Sequence, residues 1–286
     1  MVKQLTNKQR AVSGDPALPY PPPELRCSSS FLATSPSVPK LKRPARLTRI
    51  LLSCSSVPAL MTLVEETSAL PDLPTYDIEA DDAEYVDMQP SDIARRVLRA
   101  NRLRSLTLRG DNAQVKKRRQ LAAVLGIMRA VHLQIFKYFR KGKSCVYLER
   151  KAFEFLMRGT EEANLWQVSL DTQFASKDAL KTYLTSTSAA HLEVLRIRTT
   201  TDVQSCVFEA LTTGYRLAGL CTLTLRIKQL RLNELLDALE ARYRDLGKRD
   251  RLCTVEVSVP LSAATTERAD RLGMSFDHVP FRETKD

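Results

Sequence analysis

Six short segments of this chain share one pattern, apolar-x-x-apolar-x-apolar, and their starts are separated by 30, 32, 27, 28 and 32 residues. They are carried by Leu103, Leu106 and Leu108; by Leu133, Phe136 and Tyr138; and by Leu165, Val168 and Leu170. The other three are carried by Leu192, Leu195 and Ile197; by Leu220, Leu223 and Leu225; and by Leu252, Val255 and Val257. Minor features recur in phase with them. His132-Leu133 and His191-Leu192 enter their segments alike, as do Leu220-Cys221-Thr222 and Leu252-Cys253-Thr254. A period of this length constrains the fold strongly, because one unit cannot bury its own apolar face and stacked units can.

The stretches between the segments have helical spacing. Ser91 and Asp92 suit an N-cap and first turn ahead of Ile93, Val97 and Leu98. Leu121, Val124, Leu125, Ile127 and Met128 form an apolar face, and so do Phe153, Phe155, Leu156 and Met157. Leu232, Leu235, Leu236 and Leu239 make a stripe that runs on to Tyr243 and Leu246, and Gly247 suits a C-cap. The unit is thus strand, turn, helix, turn. Parallel strands are expected to begin near 103, 133, 165, 192, 220 and 252 and to lie in chain order across one sheet, with helices outside. The competing arrangement is a doubly wound α/β domain, whose strand order reverses from the middle. Such a domain calls for a Gly-rich turn after its first strand. Arg109-Gly110-Asp111-Asn112 supplies one glycine, and the chain has neither a G-x-G-x-x-G nor a P-loop.

These segments resemble the leucine-rich-repeat superfamily, in particular its longer ribonuclease-inhibitor-like repeats, over residues 91–276. The resemblance implies an α/β solenoid of about six strand–helix units with a concave sheet. The family often has Asn three residues beyond the last apolar strand position, where the side chain ties down the turn. Here those positions hold Asp111, Lys141, Gln173, Thr200, Lys228 and Pro260. The repeats are divergent, and the family's turn geometry is not implied for them.

Residues 1–90 have a different composition. Twelve of the fourteen prolines lie at or before Pro90, and none falls between Ser91 and Val259. Proline breaks helix interiors and central strands, so the chain is expected to divide near residue 90 into a disordered arm and a regular domain, with 277–286 as a C-terminal tail. Residues 1–64 carry nine Lys/Arg against two acids, Asp15 and Glu24. This Arg/Ser-containing, acid-poor stretch is compatible with a mitochondrial address, although its Pro-rich runs make a poor amphipathic helix. Residues 65–87 carry nine acids and no Lys or Arg. The stretch Asp77 to Glu84 reads as solvated linker, or as a segment that folds back to screen the basic region after it. Residues 88–160 are strongly basic, with eighteen Lys/Arg against four acids.

No motif for chemistry emerges, and the chain is read as non-enzymatic, with no catalytic residues, cofactor or metal. His132, His191 and His278 form no pair at metal-ligand spacing, and there is no G-x-S-x-G elbow. None of the six cysteines forms a CxxC pair, and Cys221 and Cys253 read as small buried side chains at equivalent repeat positions. No secretory leader or membrane span is visible. The expected setting is intracellular, cytoplasmic or nuclear, with mitochondrial as the alternative, and with free thiols.

Strand alternation identifies the side chains on the helix-free side of the sheet. Among them, Arg109, Lys137, Phe139, Asp171, Arg196, Arg198, Arg226 and Glu256 are the candidate partner-binding residues, net positive and flanked by the apolar Ile135. Arginine and aromatic residues are favoured at interface hot spots. A second candidate is the basic patch Lys116, Lys117, Arg118 and Arg119, unfavourable at a helix start because of the helix dipole. With Arg140, Lys141 and Lys143 this patch is suited to phosphates, and alone it also reads as a nuclear localisation signal. The leading functional reading is a scaffold that binds an acidic protein surface and no membrane. A substrate-recognition adaptor of a ubiquitin ligase is a subclass of it. The alternative is RNA binding through the basic region 95–158, which the 6% aromatic content does not favour.

Overall fold

The leading leucines Leu103, Leu133, Leu165, Leu192, Leu220 and Leu252 are all buried, and each launches a strand. In the computed structural model, the described residues are 24–28, 49–68, 75–84, 93, 97–110, 115–143, 145–159, 165–213, 216–247 and 251–281. They form an open sheet of ten parallel strands. These are β1 (Glu24–Ser28), β2 (Arg49–Ser56), β3 (Tyr76–Glu84), β4 (Leu103–Gly110) and β5 (Ile135–Lys143). Then come β6 (Gln167–Gln173), β7 (Val194–Thr199), β8 (Thr222–Ile227), β9 (Thr254–Val257) and β10 (Ser275–His278). They lie side by side in chain order, every neighbouring pair parallel. The order does not reverse, which excludes the doubly wound arrangement.

The helices are α1 (Val57–Ser68), α2 (Val115–Ile127), α3 (Val146–Gly159), α4 (Lys177–Leu184), α5 (Gln204–Thr212), α6 (Leu232–Leu246) and α7 (Ala263–Arg271). Crossovers between parallel strands are right-handed. With strands advancing in one direction, that rule puts every helix on the same side of the sheet, and each helix packs against the next.

The core lies between the helices and the sheet. Ile78, Leu106, Phe136, Val168, Leu195, Leu223 and Val255 align in one row across β3 to β9. None of them is more than 1% exposed. Burying one such side chain contributes about 1.5–3 kcal/mol, and here each depends on the rows beside it. Ahead of the strands a tight turn recurs. The amides of Leu103, Leu133, Leu192 and Leu220 donate to the carbonyls three residues back, at 3.1, 3.2, 3.2 and 3.0 Å. Gly219 lies in the last of these turns, with its amide 3.0 Å from the Ala190 carbonyl. A Cβ there would stand 3.1 Å from that oxygen and 3.3 Å from the Leu192 oxygen, so any larger residue would press the neighbouring turn away by a few tenths of an ångström.

Side chains of the helices tie down turns of a neighbouring unit. Glu149, in the first turn of α3, accepts hydrogen bonds from the amides of Ala175 (2.8 Å) and Ser176 (3.2 Å) in the next unit's strand-to-helix turn. Gln204, first residue of α5, does the same one repeat pair later. It donates to the Gln229 carbonyl (2.9 Å) and accepts from the Arg231 amide (2.5 Å). Both residues are buried. They satisfy backbone groups of these turns that have no partner in a helix or the sheet. As expected from the sequence, Gly247 follows the last turn of α6, in a left-handed conformation (φ 55°).

Three sequence expectations are corrected. The regular domain does not begin at residue 91. β2, α1 and β3 extend the sheet toward the N-terminus, and Leu60, Met61, Val64, Tyr76 and Ile78 join the core. The reason is local. Pro58 occupies the second position of α1, where its missing N–H costs nothing, and Tyr76, Ile78 and Ala80 alternate inward among the acids. Accordingly, Asp77 to Glu84 is not linker but strand β3. At the other end, Asp277 and His278 belong to β10, so the tail begins later than 277. Most of the Pro-rich stretch 13–44 lies outside the described residues.

Candidate interaction face

The side of the sheet opposite the helices carries its outward side chains in transverse rows set by the strand register. One row runs Glu79, Thr107, Lys137, Ser169, Arg196, Thr224, Glu256 and Asp277 from β3 to β10. The row beside it runs Arg109, Phe139, Asp171, Arg198 and Arg226 from β4 to β8. All eight residues singled out in the sequence therefore stand on one face, in two adjacent rows.

The two rows differ electrostatically. In the second, each cation has a neighbour. Arg109 pairs with Glu79 on the adjacent strand, and its guanidinium lies 5.5 Å from the centre of the Phe139 ring. Arg198 stands 3.4 Å from Asp171. Arg226 stands 4.0 Å from Glu256, whose carboxylate also accepts a 3.0 Å hydrogen bond from Thr224. Arg198 lies between Asp171 and Arg226 in the row, so both arginines stand on the same side of Asp171. Burial pushes the Asp171 carboxyl above the ordinary value, and the two arginines oppose that shift. In the first row, Lys137 and Arg196 have no ion-pair partner among the described residues. Only Ser169 separates them. The acids of the row are pushed to its ends, on β3, β9 and β10.

Outward does not mean exposed here. Ser105, Gln167, Ser169 and Thr224 are buried despite facing away from the helices. Gln167 donates to Ser169 (3.3 Å) and Thr224 to Glu256 (3.0 Å) across this face. Phe139, expected as an exposed group, is half-buried beside Arg109.

The basic patch falls only partly within the described residues. Lys116 to Arg119 start α2, but the side chains of Lys116 and Lys117 lie outside the described residues. Arg118 turns its Nε to a position closed to solvent, and Arg119 is exposed. Arg140, expected to join them, is 4% exposed, because its place in β5 turns it to the helix side. The side chains of Lys141 and Lys143 lie outside the described residues. The cysteines also differ from expectation. Cys221 is half-buried and Cys253 exposed, because both precede the buried part of their strands.

The sequence reading missed the contribution of the tail. The ring of Phe281 lies 5.7 Å from the Arg198 guanidinium. It also missed Glu79, whose place opposite Arg109 follows only once β3 is known to be a strand. Among the described residues no group of three or more His, Cys, Asp or Glu is placed to hold a metal ion. None of the described helices is long and apolar enough to cross a membrane. No protein-family model matches this chain, and no curated protein matches it in sequence.

Proposed function

We propose that the protein is a non-catalytic interaction scaffold, a divergent leucine-rich-repeat-like solenoid whose concave, helix-free face binds an acidic surface of another protein within the cell. Support for the solenoid comes from the strand order, the units of roughly 30 residues and the turn-tying side chains Glu149 and Gln204. The observation that carries the binding reading is the charge distribution of the first row. Among the described residues, Lys137 and Arg196 stand without ion-pair partners near the middle of a broad sheet whose acids sit at the flanks. Unpaired cations in the middle of a face favour encounter with a complementary anionic surface. Residues 57–68 and 76–84 are built into the sheet and its helix layer, so the reading stays at scaffold and does not extend to a ligase adaptor.

The test uses the full chain immobilised and offered nuclease-treated cell extract, beside a variant carrying Arg196→Glu, Arg198→Glu and Arg226→Glu. Those side chains lie on the solvent side of the sheet, so the variant should fold. Capture that survives nuclease and is lost in the triple variant is expected. Capture abolished by nuclease would favour RNA binding instead. Capture that persists in a folded triple variant would rule out this face.

A further inference from the structure

The chain continues past its last strand in a direction that matters. The Val279 amide still donates to the Val257 carbonyl (2.8 Å), prolonging the ladder of β10. Pro280 has no N–H and ends it. Phe281 then brings its ring to 5.7 Å from the Arg198 guanidinium. Arg198 is on β7, three strands in from the β10 edge. The segment therefore turns inward over the helix-free face rather than away from it.

Arg198 is thereby held between a carboxylate, Asp171, and an aromatic ring. The same row repeats the motif at Arg109, which has Glu79 on one side and Phe139 on the other. There both companions are fixed in strands. At Arg198 the ring comes from Phe281, beyond the last strand, so it alone can be withdrawn without disturbing the sheet. We infer that Phe281 is an internal ligand of Arg198, and that a partner displaces it with an extended segment bearing an aromatic side chain flanked by carboxylates. The inference rests on the helix-free face being the binding face. The carboxylates of such a segment meet Lys137 and Arg196, and its ring takes the place of Phe281. The chain's own terminus then sets a threshold that a segment lacking the aromatic does not cross.

The experiment uses the full chain and a fluorescein-labelled peptide, Gly-Asp-Glu-Phe-Glu-Asp-Gly, followed by fluorescence anisotropy. A control peptide has Leu in place of Phe. Phe281→Ala should bind the Phe peptide about two- to fivefold more tightly than the natural chain, the factor that one exposed cation–π contact supports. Phe281→Trp should bind it more weakly. The gain should vanish for the Leu peptide, and again when Arg198→Ala is added. An unchanged affinity in Phe281→Ala, or an equal gain for both peptides, would overturn the inference. If the triple reversal of Arg196, Arg198 and Arg226 still abolished binding in that case, the binding face would stand and only the internal ligand would fall. Peptide binding indifferent to the triple reversal would remove both.

Discussion

Replacing Gln204 with alanine tests whether side chains of the helices, rather than backbone alone, hold successive turns together. Gln204 is 2% exposed, accepts from the Arg231 amide at 2.5 Å, and donates to the Gln229 carbonyl at 2.9 Å and to Asp202 Oδ1 at 3.2 Å. Gln204→Ala leaves one amide and one carbonyl unmet. Each such group costs about 1–3 kcal/mol when closed to water. The side chains of Gln229 and Arg231 are exposed, so water reaches the turn and the low end applies, giving a total loss of about 2 kcal/mol. Gln204→Glu keeps the acceptor and loses both donors, placing a second carboxylate beside Asp202. Its folded-state carboxyl should titrate above the ordinary range. The stability it retains at low pH should then be lost as pH rises through that raised value. Urea unfolding gives the global change. Amide exchange at Arg231 gives the local one, expected to accelerate about 30-fold for 2 kcal/mol. A loss below about 0.5 kcal/mol, the scatter of ordinary surface substitutions, together with unchanged exchange at Arg231, would refute the tie.

Two further outcomes follow from the same geometry. Burial holds the Asp171 carboxyl above its ordinary value, so stability present below the ordinary carboxylate range is lost as pH rises through the raised one. The natural chain should lose ground to Asp171→Asn as pH rises from the ordinary carboxylate range through that raised value in thermal unfolding, and a gap moving the other way would contradict this. Thr222 and Thr254 are paired across β8 and β9, and the Cys253 amide lies 3.1 Å from the Cys221 carbonyl, which puts the two cysteines at neighbouring positions about 4.8 Å apart. Mild catalysed oxidation should join them in preference to Cys27 or Cys54, and peptide mapping that finds them unlinked while other pairs form would refute the register.

What could be read in advance was whatever rests on period. The apolar triplets recur because each must fill the same slot in the same layer. Their spacing therefore predicted six strands and their order, with the strands beginning within two residues of the marked leucines. β2 and β3 escaped for opposite reasons. In β3 the inward Tyr76, Ile78 and Ala80 are interleaved with acids that dominate composition. In β2 and α1 the apolar residues are plain, but Pro58 and the nearby proline-rich stretch argued against order. Proline counts averaged over ninety residues hide that one proline at a helix start is favourable. The turn ties were illegible in another way. The resembling family has asparagine just past each strand, whereas this chain ties turns from Glu149 and Gln204 in its helices.

The face was legible as a set of residues and illegible as an electrostatic object. Alternation along each strand is a property of one segment, so it correctly put Arg109, Lys137, Arg196, Arg198 and Arg226 on one side. Which of these cations keep their charge available depends on the neighbours across the sheet, and those are fixed by register. Arg226 is near Glu256 only because Thr224 and Glu256 share a rung. Arg109 meets Glu79 only because a segment read as linker is the adjoining strand. Once those pairings are known, five cations of similar rank separate into three with carboxylate neighbours and two without. Lys137 and Arg196 are the two whose charge is not already answered from within. Any partner that reads this face by charge must therefore engage the row through Ser169 first, and the arginine row second, where it must displace companions that the chain supplies itself.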